Sequence, residues 1–185
     1  MNKFGRHGLS CKVAKGTHPR HSHANDLIKR ALASGQVPAV REPPGLVRTD
    51  MKRPDGLTLF PWSNGRCLVW DFTCCDTLAK SHVAATSQEA GKAASKAEQR
   101  KLTHYNELSQ NYTVIPVATE TMGCWGKMGL KFIKELGARI AESTGEDRST
   151  SFLFQSLGMA VQRGNAMSVL GTIPNLRDLQ EIFYL

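Results

Sequence analysis

The sequence predicts a mixed α/β fold in which a helix, three strands, a second helix and a fourth strand are followed by two final helices. Two observations predict this order. Residues 37–75 contain short runs rich in β-branched and aromatic residues, separated by Pro and Gly turn signals. Residues 86–170 contain three segments of helical periodicity and one further apolar strand, so a helix should cross over to that strand and complete a mixed sheet.

The first half of the chain supplies the first helix and three strands. These elements are predicted at residues 23–34, 37–42, 56–62 and 66–75. Gly35 ends the helix, and Ser63-Asn64-Gly65 is the turn of a hairpin between the second and third strands.

The second half supplies the remaining helices and the last strand. After a polar stretch at 76–85, helices are predicted at 86–110, 126–143 and 150–170, and a strand at 112–119. Thr86 and Glu89 have the spacing of a capping box, which places the start of the long helix at Thr86.

Two carboxylates lie on the predicted hairpin. Asp55 directly precedes its first strand, and Asp71 lies inside its second, apolar strand. Two such acids can hold a hard divalent cation such as Mg²⁺ or Mn²⁺. An acid within an apolar strand is costly unless it is paired or binds a metal, whereas Pro54-Asp55-Gly56 is also a common turn tripeptide.

The turn decides whether the two acids can meet. A two-residue turn at Asn64-Gly65 would place Asp55 opposite Cys74 and send Asp71 to the other face of the sheet. A three-residue turn closed by Gly65 would place Asp55 opposite Thr73 and both acids on one face. The metal-site hypothesis therefore predicts the three-residue turn.

A lysine lies in the middle of the apolar stripe of the long helix. Positions about 100° apart per residue group Ala94, Ala97, Lys101 and Tyr105 on one side. Lys101 either extends past its small alanine neighbours to solvent or points at a negative group.

The net charge of +8 is concentrated at one end of the chain. Residues 1–53 hold eleven Lys or Arg and three Asp or Glu, while residues 54–185 hold thirteen of each. A basic segment beside a neutral domain indicates a polyanion partner such as nucleic acid, or else only a soluble basic tail. The candidate phosphate contacts are Arg20, Lys29, Arg30, Lys52 and Arg53.

Cysteine content and hydropathy indicate an intracellular protein. Five cysteines without a spaced framework suit a reducing compartment. No run of eighteen apolar residues exists, and the first residues lack an apolar signal core, so we expect no contact with a membrane.

Several short sequence motifs, taken together, resemble those of the PD-(D/E)xK nuclease superfamily. The sequence is most similar to the restriction-like endonuclease domain found in non-LTR retrotransposon polyproteins, over roughly residues 5–172. The matching words are His18-Pro19-Arg20-His21-Ser22, Asn25-Asp26-Leu27-Ile28-Lys29-Arg30-Ala31-Leu32, Lys52-Arg53-Pro54-Asp55-Gly56, Leu68-Val69-Trp70-Asp71-Phe72-Thr73 and Gln162-Arg163-Gly164-Asn165-Ala166.

The resemblance implies a restriction-endonuclease-like core and a metal-dependent endonuclease that nicks DNA for priming by a reverse transcriptase. Asp55 and Asp71 match the metal-binding acids of that family. Thr73 stands where many relatives have the motif lysine, and Lys101 from the following helix is the matching substitute. The implied partners are DNA, element RNA and a reverse transcriptase, and the implied location is the nucleus. The alternative is a nuclease-like domain that binds nucleic acid without cutting it.

The resemblance also divides the chain. It implies a basic N-terminal segment at 1–21, an endonuclease-like domain at 22–172 and a C-terminal tail at 173–185. His7 and Cys11 match the second half of a zinc knuckle in these polyproteins. The first two cysteines of the knuckle have no counterpart here, so this pair alone does not complete a Zn²⁺ site.

Overall fold

A computed structural model of the chain describes residues 16–46 and 53–171, together with Leu9. The predictions for His7, Cys11, Lys52 and the tail at 173–185 lie outside the described residues. Within the described residues, no helix is both long and apolar enough to cross a membrane.

One mixed sheet contains four strands in the order β1 (Ala39–Arg41), β2 (Gly56–Ser63), β3 (Arg66–Cys75) and β4 (Thr113–Glu120). Strands β1 to β3 are an antiparallel meander, and β4 runs parallel to β3. A strand that runs parallel to its neighbour requires a crossover connection. The helix at Lys92–His104, between β3 and β4, supplies it. The mixed sheet predicted from the sequence is confirmed.

In the part of the chain that the structure describes, five helices cover the two faces of this sheet: α1 (Thr17–Ser34), α2 (Val83–Thr86), α3 (Lys92–His104), α4 (Lys127–Thr144) and α5 (Ser149–Leu170). The larger core packs α1, α4 and α5 against Leu68, Trp70 and Phe72 of β3. The smaller core lies on the other face, where Tyr105 after α3 packs with Val69. Because successive strand residues alternate between faces, Asp71 belongs with Val69 on the α3 face.

The predicted start of the first helix is wrong. Helix α1 begins at Thr17 rather than residue 23, which brings Arg20 and His21 into the helix. The reason is tertiary packing: a Cβ at Gly16 would lie 2.3 Å from the Gly164 carbonyl oxygen, so only glycine allows this approach to α5.

The predicted helix at 86–110 is wrong at both ends, because α3 covers only Lys92–His104 and Leu108–Gln110 forms a separate 3-10 turn. Thr86 ends the short α2, and Gly91, with φ of +78°, precedes α3 in the left-handed conformation. The capping box is absent because Thr86 Oγ1 donates to the Thr77 carbonyl oxygen. Glu120 at the end of β4 instead accepts a hydrogen bond from Ala93 N, within the first turn of α3.

Candidate active site

The β2–β3 hairpin corrects the turn prediction. Ser63 pairs with Arg66 around a two-residue turn, in which Asn64 and Gly65 have φ of +49° and +71°. Two irregularities in the ladder then shift the register, so that farther along Leu57 pairs with Val69. The two-residue turn was expected to separate the acids, and that expectation is wrong because it assumed a regular ladder.

The shifted register brings Asp55 beside Asp71. Gly56 pairs with Trp70, and Asp55 N donates to the Trp70 carbonyl oxygen at 3.1 Å. Phe72 N donates to Asp55 Oδ2 at 2.6 Å, so Asp55 contacts the residues on both sides of Asp71. Their charges interact, since the Asp55 carboxylate contributes to raising the pKa of Asp71.

Asp71 is buried and held by two side chains of the crossover segment. Lys101 Nζ lies 2.7 Å from Asp71 Oδ1, and the Tyr105 hydroxyl donates to Asp71 Oδ2. The Asp71 side chain is 6% exposed, whereas the Lys101 side chain is 32% exposed. Lys101 therefore points at a negative group, and its ammonium remains reachable from solvent.

Burial and charge act in opposite senses on Asp71. Desolvation raises the pKa of the Asp71 carboxyl above its ordinary value, while the Lys101 charge and the hydrogen bonds from Lys101 and Tyr105 act to lower it. The net shift is upward. A cation placed beside Asp71 would therefore favour the charged carboxylate and lower its pKa.

A residue of α1, His21, contacts the Asp55 carboxylate. His21 Nε2 lies 3.1 Å from Asp55 Oδ2, and the His21 side chain is 45% exposed. The hydrogen bond to Asp55 raises the pKa of His21 above its ordinary value, against the opposing effect of burial. Three elements thus converge on the two acids: α1, the β2–β3 hairpin, and the segment from α3 to Tyr105.

A cavity of about 430 Å³ opens beside this group. Arg20, His21, Thr73 and Lys101 line it together with Phe72, and its complete lining also includes Leu9, Thr17, Cys74 and Asp76. Asp55 and Asp71 are not among the lining residues, so the cavity is adjacent to the acids and does not contain them. Arg20, His21 and Lys101 at its wall favour an anionic ligand, whereas the Asp76 carboxyl at the same wall opposes one.

The predicted phosphate contacts have different surroundings. Lys29 and Arg30 are exposed on α1, and Arg30 pairs with Asp26 at 3.1 Å. Arg53 is exposed and pairs with Glu42. Asp26 and Glu42 are thus surface carboxylates paired with these two arginines.

Arg20 is buried rather than exposed to solvent. It is 5% exposed, and its Nη1 donates to Asn165 Oδ1 at 2.7 Å. A Cβ at Gly164 would lie 2.4 Å from Arg20 Cβ, so the two sequence motifs that contain Arg20 and Gly164 pack closely against each other. Arg20 still lines the cavity, and its place in the fold is the contact between α1 and α5.

Tyr105 and His21 are the contacts that the sequence did not assign. Tyr105 lies four residues after Lys101 on the same helical stripe, so its position did carry a signal. His21 gave no comparable signal, because its partner Asp55 is distant in sequence and depends on the shifted register.

Two other buried acids have structural roles. Glu98 accepts hydrogen bonds from Met128 N and Gly129 N at the start of α4, just as Glu120 accepts one at the start of α3. Burial raises the pKa of Glu98 above its ordinary value, against the effect of these backbone donors. Carboxylates at helix N-termini satisfy otherwise unpaired N–H groups, so these acids position α3 and α4 around the site.

The donor set fits a hard divalent cation only in part. Asp55 and Asp71 offer carboxylate oxygens, which such ions prefer. Within residues 16–46 and 53–171, however, no group of three or more His, Cys, Asp or Glu could hold a metal. A cation at the two acids would need further oxygen ligands from backbone, water or a bound phosphate.

The sequence matches no protein-family model, and no curated protein is significantly similar to it.

Proposed function

We propose that this chain is a metal-dependent DNA endonuclease of the restriction-like type associated with non-LTR retrotransposons. The observation that supports the proposal is the group formed by Asp55, Asp71 and Lys101. Asp55 directly precedes β2, and Asp71 lies on the adjacent strand β3. Lys101 Nζ, from the following helix, lies 2.7 Å from Asp71 Oδ1.

Asp55 and Asp71 would hold the ion. A divalent cation such as Mg²⁺ or Mn²⁺ would polarise a phosphodiester and lower the pKa of an attacking water. A cation beside Asp71 would favour its ionised form and would oppose the increase in pKa that burial causes.

The side chains around the acids have separate tasks. Lys101 is reachable from the cavity and would stabilise negative charge that develops on the phosphate. Tyr105 donates to the second oxygen of Asp71 and fixes the orientation of that carboxylate. Lys29 and Arg30, on the exposed side of α1, would contact phosphates without reading sequence.

A second candidate is a nuclease-like domain that binds nucleic acid without cutting it. The absence of a third His, Cys, Asp or Glu ligand among the described residues favours this alternative. So does Thr73, which occupies the position of the lysine in many relatives. Both candidates share the basic α1 and differ only in whether the acids support hydrolysis.

Incubation with supercoiled plasmid separates the two candidates. The purified chain is incubated with Mg²⁺ or Mn²⁺, beside an Asp71→Ala variant and a sample containing EDTA. The proposal predicts open circular product in the first sample only. Plasmid retained on a filter without nicking supports the binding domain, and neither nicking nor retention rejects both candidates.

A further inference from the structure

We propose that His21 is a positioning residue that holds the Asp55 carboxylate in one orientation and presents its second oxygen to the ion. This inference deepens the proposed function and rests on it. It assigns a role to His21, an α1 residue whose contact with Asp55 the sequence did not predict.

The donors to Asp55 favour one of its two oxygens. Within the described residues, Phe72 N at 2.6 Å and His21 Nε2 at 3.1 Å both reach Oδ2. The first donor belongs to the backbone of β3, and the second comes from α1. Two donors on a single oxygen restrict rotation of the carboxylate, and they leave Oδ1 as the oxygen best able to bind a cation.

His21 is itself fixed by buried neighbours. Asn25 Nδ2 lies 3.4 Å from His21 Nδ1 and 3.5 Å from its Nε2, so the amide lies alongside the imidazole. The Phe72 ring lies 6.0 Å away between centroids, tilted by 59°. Because 45% of the His21 side chain is exposed, these contacts rather than general burial hold the ring in place.

The support continues into the core. Trp70 Nε1 donates to Asn25 Oδ1 at 3.0 Å, and both residues are fully buried. Indole N–H is a donor only, so it identifies the Asn25 oxygen and turns the amide nitrogen toward His21. A continuous path therefore joins the β3 core to Asp55 through Trp70, Asn25 and His21.

Binding of Mn²⁺ to the full chain without DNA tests this role. The electron paramagnetic resonance signal reports the concentration of unbound Mn²⁺. Titrations followed by this signal give the Mn²⁺ affinity of four proteins: wild type, His21→Ala, His21→Gln and His18→Ala. His18 is the matched control because it is exposed on the same helix. Removing the partner of a ligating carboxylate typically weakens metal affinity about 10- to 100-fold, and we expect this for His21→Ala.

The conservative variant supplies the second readout. Gln retains an N–H that can donate to Asp55, so His21→Gln should recover most of the missing affinity, and His18→Ala should match wild type. Wild-type Mn²⁺ affinity in a folded His21→Ala variant would overturn the inference. So would weaker DNA retention at unchanged Mn²⁺ affinity, because His21 would then be a phosphate contact.

Failure of the proposed function gives a different result. If wild type binds no Mn²⁺, the metal-dependent nuclease is rejected, and the role of His21 toward a metal is rejected with it. Nuclear magnetic resonance of the imidazole then shows whether the contact itself exists. If wild type shows a slowly exchanging His21 Nε2–H signal that disappears in Asp55→Ala, the His21–Asp55 contact exists and has a structural role only. If wild type shows no such signal, the contact itself is rejected as well.

Discussion

Replacing Lys101 with Met should destabilise the fold in a pH-dependent manner. The change keeps a long apolar stem and removes the ammonium that lies 2.7 Å from the buried Asp71. Removal of one partner from a fully buried ion pair costs about 3–5 kcal/mol. The Lys101 side chain is 32% exposed, so solvent screening reduces the expected loss to roughly 1–2 kcal/mol at neutral pH.

The sign of the pH dependence follows from Asp71. Burial already raises its pKa in the folded state, and loss of Lys101 removes the charge that opposes this increase. At neutral pH the variant must therefore bury an unpaired carboxylate or take up a proton, and both cost free energy. As the pH falls through the folded-state pKa of Asp71 this cost decreases, and it disappears below the unfolded-state pKa, where the carboxyl is protonated in both states.

Thermal unfolding measured by circular dichroism at several pH values checks this prediction. For a chain of this size, roughly 1–2 kcal/mol corresponds to a decrease in Tm of about 2–8 °C. Lys96→Met is the matched control, because Lys96 is exposed on the same helix. A difference in Tm between wild type and Lys101→Met that is the same at neutral and acidic pH would refute the electrostatic reasoning.

Two further changes test other parts of the structure. A Cβ at Gly56 would lie 2.0 Å from the Trp70 indole, so Gly56→Ala should lower the free energy of unfolding by about 1–3 kcal/mol or more. Gly158→Ala has open space at its Cβ and should not destabilise; equal Tm values for the two variants in calorimetry would count against the packing described for Trp70. Charge reversal of Lys29 and Arg30 should weaken DNA binding and reduce the slope of log K against log salt, by up to about 0.9 for each phosphate that the variant no longer neutralises. A filter-binding series with Lys131→Glu/Lys134→Glu as the charge-matched control checks this, and an unchanged slope in the α1 variant would exclude α1 from the interface.

The order of elements was predictable because each long element has a clear local pattern. The Arg66–Cys75 strand matches its predicted limits, and Gly35 ends α1 as expected. Helix α4 begins within one residue of its prediction, since its apolar positions keep the helical period. A meander followed by a helical crossover then leaves few topologies, and the observed mixed sheet is one of them.

The site was predictable in its residue types but not in its geometry. Asp71 and Lys101 could be selected because a charged side chain at an apolar position needs a partner. Their contact could not be derived, since it depends on how α3 packs on β3. The position of Asp55 depends on irregularities between Leu57 and Ser63, which turn chemistry at Asn64-Gly65 does not encode. The break at Gly91 was missed because local capping spacing at Thr86 is overridden by tertiary contacts of the loop.

We propose that Asp55, just before β2, and Asp71, on β3, together support phosphodiester hydrolysis. The most direct test of this proposal compares wild type, Asp71→Asn and the exposed-acid control Asp147→Asn for nicking and retention of the same supercoiled plasmid in Mg²⁺ or Mn²⁺. We expect Asp71→Asn to abolish nicking and to leave DNA retention nearly unchanged, while Asp147→Asn behaves as wild type. Nicking by Asp71→Asn at the wild-type rate would contradict the proposal, and so would equal loss of nicking and retention.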